Sequence, residues 1–182
     1  MQYPNRLLAR ITAPGGEPIT LAEAKLYLRV DGSSEDAFIT DLIVAARLSA
    51  EQWLKKSLLT QSWRLSVECF DEAVLPIPMG PVQEIVSVVL TQQDGSSQTL
   101  DEVHYSLNAA KNELLLNSLL ATSQLHVTYV AGYADAGEIP RPIKLGILNH
   151  IASLYDNRGD LQDAGLPASV MSFYHPFREV RL

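Results

Sequence analysis

Residues 140–160, PRPIKLGILNHIASLYDNRGD, carry the strongest helical signal in the chain. Pro140 and Pro142 stand where a helix begins, because proline presets φ and loses no amide bond in a first turn. Ile143, Ile147, Ile151 and Leu154 recur at helical spacing, and Leu148 and Tyr155 widen the apolar stripe. Asn157-Arg158-Gly159 is a stop signal, with a cation in the last turn and then glycine for a left-handed cap. Beyond it, residues 161–182 read LQDAGLPASVMSFYHPFREVRL and show no regular period. Met171, Phe173, Tyr174, Phe177, Val180 and Leu182 call for burial with little chain left to supply it. That predicts an extended tail meant for another protein.

Working outward, residues 1–18 contain Pro4, Pro14, Gly15, Gly16 and Pro18 and read as extended and loosely held. Thr20 and Glu23 have capping-box spacing, so a helix is expected to start there and end near Val30-Asp31-Gly32. Ser33 and Asp36 repeat that logic for a longer helix over 34–57. Its apolar stripe is read as Phe38, Leu42, Ala45, Ala46, Ser49 and Trp53, with Glu35, Asp41, Arg47, Glu51 and Lys55 off it. The period then switches to two. Trp63, Leu65, Val67 and Cys69 alternate with polar residues, 75–82 is a proline-rich edge or rigid loop, and 82–91 is β-branched. Asp94-Gly95 turns a hairpin into a short strand near 98–100. Val103, Tyr105 and Leu107 alternate again, and 108–112 turns into a strand at 113–116. Leu125, Val127 and Tyr129 make the last strand. DGSS occurs at 31–34 and 94–97, but one copy leads into a helix and the other closes a hairpin, so the match is coincidence.

The expected fold is therefore α+β: a small helical core of about three main helices, about six antiparallel strands inserted, and an extended C-terminal tail. The boundaries are one domain over 1–182, divided into a first helical part (20–58), a β-rich insertion (60–133), a second helical part (140–159) and the tail (160–182).

A length of 182 residues fits one domain, and 47% hydrophobic with 19% charged residues is the composition of a core-forming chain. No apolar run approaches the roughly 20 residues that span a bilayer, and residues 1–16 lack the pattern of a signal peptide. The single cysteine, Cys69, excludes an intrachain disulfide and suits a reducing compartment. Those features predict a protein made in the cytoplasm, with no membrane contact. The net charge of −7 argues against coating DNA. Its distribution is uneven. Residues 66–140 hold ten acids and one base, Lys111, whereas 1–65 hold eight bases and seven acids and 141–182 five bases and four acids.

Catalytic patterns are missing. There is no nucleophile elbow, phosphate-binding loop or dinucleotide fingerprint, and His104, His126, His150 and His175 have no partner at zinc-ligand spacing. No metal and no cofactor is expected. Cys69 falls on the apolar face of a strand, where a packed thiol is the usual state. Asp71-Glu72 reads as a solvated loop, and Asp94-Gly95-Ser96 lacks the acids of a calcium loop.

The chain resembles the phage head–tail connector (adaptor) proteins, which dock under the portal ring of long-tailed double-stranded DNA phages. The resemblance is carried, in order, by TLAEAK (20–25), LRVD (28–31), EDA (35–37), LIVAAR (42–47), TQSW (60–63), LPIP (75–78) and GPV (80–82). It continues through SV (87–88), DG (94–95), VTYVAGY (127–133), IP (139–140), IK (143–144), LYDNR (154–158), LP (166–167) and PFR (176–178). Two segments depart from the pattern. WLKKS (53–57) lacks the Thr-Gly-Arg the family often carries there, and VMSFY (170–174) is unusual in detail.

The resemblance implies a non-enzymatic structural virion protein in the head–tail neck. It implies a ring of this chain, twelve-fold in the mature particle, between the portal protein and head-closure or tail components, with double-stranded DNA passing without specific binding. Candidate portal-binding residues are Leu166, Pro167, Met171, Phe173, Tyr174, Pro176, Phe177, Arg178 and Arg181, types enriched at interface hot spots. Candidate subunit-contact residues are Phe38, Leu42, Ala46, Trp53 and Arg158. Asp94, Asp101, Glu102 and Glu113 are the acids expected to face a DNA channel. Two alternatives stand beside this reading. One is a head-closure or tail-completion protein of the same neck; the other is a small enzyme using Cys69, Asp71, Glu72 and the histidines.

Overall fold

The computed structural model describes residues 5–68, 72–118, 124–158 and 166–178. Cys69, Asp71 and Arg181 lie outside them. The fold is α+β, and the chain divides into a helical unit (16–59 with 133–182) and a β unit (1–15 with 60–132).

In the helical unit, α1 (Leu21–Leu28) begins as its sequence requires: the Thr20 hydroxyl accepts the Glu23 amide at 3.2 Å, and the Glu23 carboxylate accepts the Thr20 amide at 2.8 Å. It stops at Arg29, in the left-handed region at φ 56°, ahead of the glycine expected to end it. The second helix, α2 (Asp36–Leu54), lacks the expected Ser33 cap; Glu35 is its N-cap and makes no capping bond. The acids at its start are taken elsewhere. Asp36 pairs with Lys25 at 2.5 Å, and Glu35 accepts from Arg158 at 2.6 Å.

The apolar stripe of α2 also needs correction. The buried positions are Ile39, Ile43, Ala46, Arg47, Ala50, Glu51 and Leu54, while Phe38 and Ala45 are exposed and Leu42, Ser49 and Trp53 are half-buried. Arg47 and Glu51, read as solvent-facing, are 5% and 3% exposed. They can be buried because each is fully partnered. The Arg47 guanidinium donates to Glu17 at 2.7 and 3.1 Å and to Glu51 at 3.1 Å, and Glu51 also accepts the Leu58 amide at 2.9 Å. Burial lowers the affinity of Arg47 for its proton, but the two carboxylates outweigh it and the net shift is upward.

The third helix, α3 (Arg141–Asp156), follows the predicted period, with Ile143, Ile147 and Ile151 buried together with Gly146 and His150. The C-terminal stretch differs from its expected form over residues 168–177: α4 (Ala168–Tyr174) runs into a 3-10 turn (His175–Phe177). Its Val170 and Tyr174 are 1% and 0% exposed in the same apolar cluster as Ile39, Leu54 and Ile147.

The β unit holds two antiparallel sheets, the larger in the order β1 (Arg6–Thr12), β2 (Gln61–Glu68), β8 (Gln124–Ala131), β4 (Val82–Thr91), β5 (Ser97–Thr99). The smaller runs β3 (Val74–Pro76), β7 (Glu113–Leu116), β6 (Tyr105–Asn108). Leu65, Val67, Val88, Leu90, Val127 and Tyr129 from the first and Leu75, Leu114 and Leu116 from the second share one buried cluster. Asn112, at φ 52°, joins the strands: its carbonyl accepts Ile77 at 2.8 Å and its side chain accepts Val82 at 2.9 Å.

The strand β1 was not expected. Residues 6–12 alternate poorly, since only Leu8 among them is even half-buried, so an edge strand carries no period-two signal.

Candidate interaction surfaces

The C-terminal segment is seated by three contacts. Tyr174 lies over Gly146 so closely that a Cβ there would sit 2.3 Å from the ring carbon Cε1. The Tyr174 and Trp53 rings are 5.9 Å apart, and the Arg178 guanidinium lies 5.0 Å from the Trp53 ring centroid. A groove of about 410 Å³ is lined by Ser49, Gln52, Trp53, Lys55, Leu166 and Arg178. Leu166, Pro167, Met171, Phe173 and Phe177 are half-buried, and Pro176 and Arg178 are exposed. Tyr174 is a core residue, so its ring is closed to any partner.

The subunit-contact residues divide similarly. Ala46 is fully buried in the chain's own core, which removes it from the surface. Phe38 and Arg158 meet in a cluster that sequence reasoning did not foresee. The Arg158 guanidinium stacks at 3.9 Å from the Tyr155 ring centroid and 4.8 Å from that of Phe38, and it pairs with Glu35. The Tyr155 hydroxyl donates to the same carboxylate. Arg158 and then Tyr155 hold the Glu35 carboxyl below its ordinary range, and the Glu35 bond raises the Tyr155 phenol. Glu35 is 120 and 123 positions from Tyr155 and Arg158, so no sequence spacing advertises their meeting.

On the β unit, Asp94, Asp101 and Glu102 are exposed and Glu113 is half-buried, accepting from Asn108 at 3.4 Å. Asp94 closes its hairpin by accepting the Ser96 hydroxyl at 2.6 Å and amide at 2.9 Å, bonds that lower its carboxyl.

Cys69 and Asp71 lie outside the described residues, and among the described residues of the enzyme alternative none converge. Glu72 is exposed, and His104, His150 and His175 lie on the 3-10 turn before β6, on α3 and on the final turn. His126 Nδ1 lies 2.8 Å from the Ser66 hydroxyl in a β2–β8 pair. Among the described residues no three His, Cys, Asp or Glu side chains are grouped to hold a metal, and no helix is long and apolar enough to cross a membrane.

The model of the Phage gp6-like head-tail connector protein family matches residues 18–114, more than half of the chain. Solved structures contain chains of the same fold. A chain in the neck of an empty GTA particle computed with C6 symmetry has a TM-score of 0.78 at 20% identity. One in the virion of a native gene transfer agent (GTA) particle has 0.77 at 22%, and one in the neck of a native GTA particle computed with C12 symmetry has 0.78 at 21%. Each alignment covers 97% of this chain and 97% of the other. At these identities the likeness is one of fold. No curated protein matches the sequence.

Proposed function

The chain belongs to the Phage gp6-like head-tail connector protein family, and from that premise we propose that it is an adaptor subunit of a particle neck. In this reading it forms a ring, of twelve copies in the mature particle, between the portal and the head-closure or tail components, and does no catalysis. The observation that carries it is the family match together with fold likeness over nearly the whole chain to proteins of necks computed with C12 and C6 symmetry. Such rings are closed by heterologous contacts, where one face of a subunit meets a different face of the next.

The surface left by the chain's own packing selects among the candidates. Leu166, Pro167, Met171, Phe173, Pro176, Phe177 and Arg178 offer the portal-docking side of the C-terminal segment; Arg181 belongs with them in sequence. Phe38, Leu42, Trp53 and Arg158 form a candidate subunit contact on the helical unit. Asp94, Asp101, Glu102 and Glu113 supply the negative surface past which DNA moves without being held.

Binding of the full chain to isolated portal rings and to tail-tube protein tests this. Tight binding to portal, weakened at least tenfold by Arg178→Glu with Pro176→Asp, supports the adaptor role. Undiminished portal binding by that variant overturns the tail assignment. Binding to the tail side alone replaces the adaptor with a head-closure or tail-completion protein.

A further inference from the structure

We infer that the two open edges of the five-stranded sheet are the complementary halves of a contact between copies of this chain. The proposal rests on the ring reading but assigns the contact to residues outside the helical candidates, and it takes Asp94, Asp101 and Glu102 out of the DNA passage and into that contact.

One edge is β1, seven residues with no strand on its outer side among the described residues. An edge of this length presents unpaired backbone groups to any passing chain and is ordinarily protected. Here it carries exposed apolar side chains instead, Leu7 at 69% and Ile11 at 49%, flanked by exposed Arg6 and Arg10. The opposite edge is β5 with its continuation, since the Leu100 amide still bonds Val88 of β4 at 2.8 Å. The strand itself is polar (Ser97, Gln98, Thr99), with exposed Val86 at 56% on neighbouring β4 and Val103 at 74% on the 3-10 turn that follows, and the charges along it are Asp94, Asp101 and Glu102. Among the described residues none of Arg6, Arg10, Asp101 and Glu102 is in an ion pair. Each edge thus has what the other lacks.

Topology says which copies these edges can join. The four antiparallel pairings from β1 to β5 make the two edge strands run in the same direction. A copy added in the same orientation therefore lays its β5 alongside β1 of the first, a head-to-tail contact that repeats. Turning the added copy over in the sheet plane would instead place β1 against β1. That sets Arg6 and Arg10 of two copies near one another, and like charges across strands are unfavourable. The edges are about 19 Å apart at ordinary strand spacing, so one copy can engage two neighbours at once. With β5 only three residues long and parallel pairing the weaker kind, the ion pairs and apolar side chains carry the recognition.

Register supplies the test. Leu7 pairs with Ser66, Ser66 with His126, His126 with Val89 and Val89 with Thr99, so Leu7 and Thr99 share one row and one face of the sheet. Full-length Leu7→Cys and Thr99→Cys, each with Cys69→Ser and different tags, would be mixed at a concentration where sedimentation shows association, then oxidised. The expected result is a disulfide between the two variants and little within either alone. A Phe38→Cys variant reports on the helical face.

Arg6→Glu with Arg10→Glu should weaken association at least about tenfold, and mixing that variant with Asp101→Arg with Glu102→Arg should restore it, since complementary charge fixes the partner. Leu7→Cys linking to itself overturns the proposal in favour of a two-fold dimer. Association with cross-links through Phe38→Cys but none between the edges overturns it and leaves the ring reading standing. A chain that stays monomeric at the highest concentration reached overturns the edge contact and leaves the ring reading to the portal-binding experiment.

Discussion

The two ends of the chain invite the same reading from sequence and meet different fates. Residues 1–18 and 160–182 both lack a period and both carry apolar residues with arginines. In the C-terminal segment those residues are largely consumed: Tyr174 and Val170 lie in the helical core, and Arg178 stacks on Trp53. In the N-terminal strand they are not, and Leu7 and Ile11 stay exposed on an edge with nothing beside it among the described residues. Apolar surface a chain buries for itself contributes to folding; the surface it leaves open is available for assembly. The difference gives the C-terminal segment a share in folding stability beside its proposed docking side, and leaves the N-terminal strand to the proposed contact between copies.

The sharpest way to break that contrast is at Tyr174. Tyr174→Ala should cost about 3–5 kcal/mol in urea unfolding, the range for emptying a large buried aromatic site. A loss below about 1 kcal/mol would mean the segment is not seated on the core. Tyr174→Phe should cost little, because the buried hydroxyl has no partner among the described residues.

Arg47→Ala should cost about 3 kcal/mol by leaving Glu51 buried without its guanidinium partner. Gly146→Ala follows at about 1–2 kcal/mol. Its methyl meets the Tyr174 ring, a clash larger than the gain of about 1 kcal/mol in helix propensity. The Gly146→Ala penalty should vanish in a Tyr174→Ala background, and an additive double mutant would separate the two residues.

Burial holds the His150 imidazole below its ordinary value of 6.5. The unfolded chain then takes up a proton at a higher pH than the folded one, so this residue lowers stability as pH falls below about 6.5 and has no effect above it. Melting temperature against pH for wild type and His150→Leu should show the shallower acid slope in the variant. The smallest effect on folding belongs to the other end of the comparison. Leu7→Ser with Ile11→Ser should change unfolding free energy by less than about 0.5 kcal/mol while weakening self-association.

Where local chemistry decides structure, the sequence was a sufficient guide. The Thr20–Glu23 capping box, the Ile143–Ile147–Ile151 period, the Asp94-Gly95 hairpin and the alternation along β2 and β8 each fold as read. The failures share a cause, which is that tertiary partners rewrite what a residue type means. Arg47 and Glu51 read as surface because nothing near them shows that Glu17, thirty residues away, completes a buried network. The short α4 offers only Val170 and Tyr174 on its buried face, too few positions to display a period, and Gly146 is the feature of α3 that anticipates it. In β1 the alternation is lost because an edge strand has little to bury on either face. For the interaction surfaces, residue types named the candidates, and it took burial to separate Ala46 and Tyr174 from residues a partner can reach.

The most direct test of the whole account is an electron cryo-microscopy reconstruction of the full-length chain assembled on its cognate portal. The account predicts a closed ring in which β1 of each copy lies beside residues 94–103 of the next. Copies bound singly to the portal, or a ring with both sheet edges facing solvent, would contradict it.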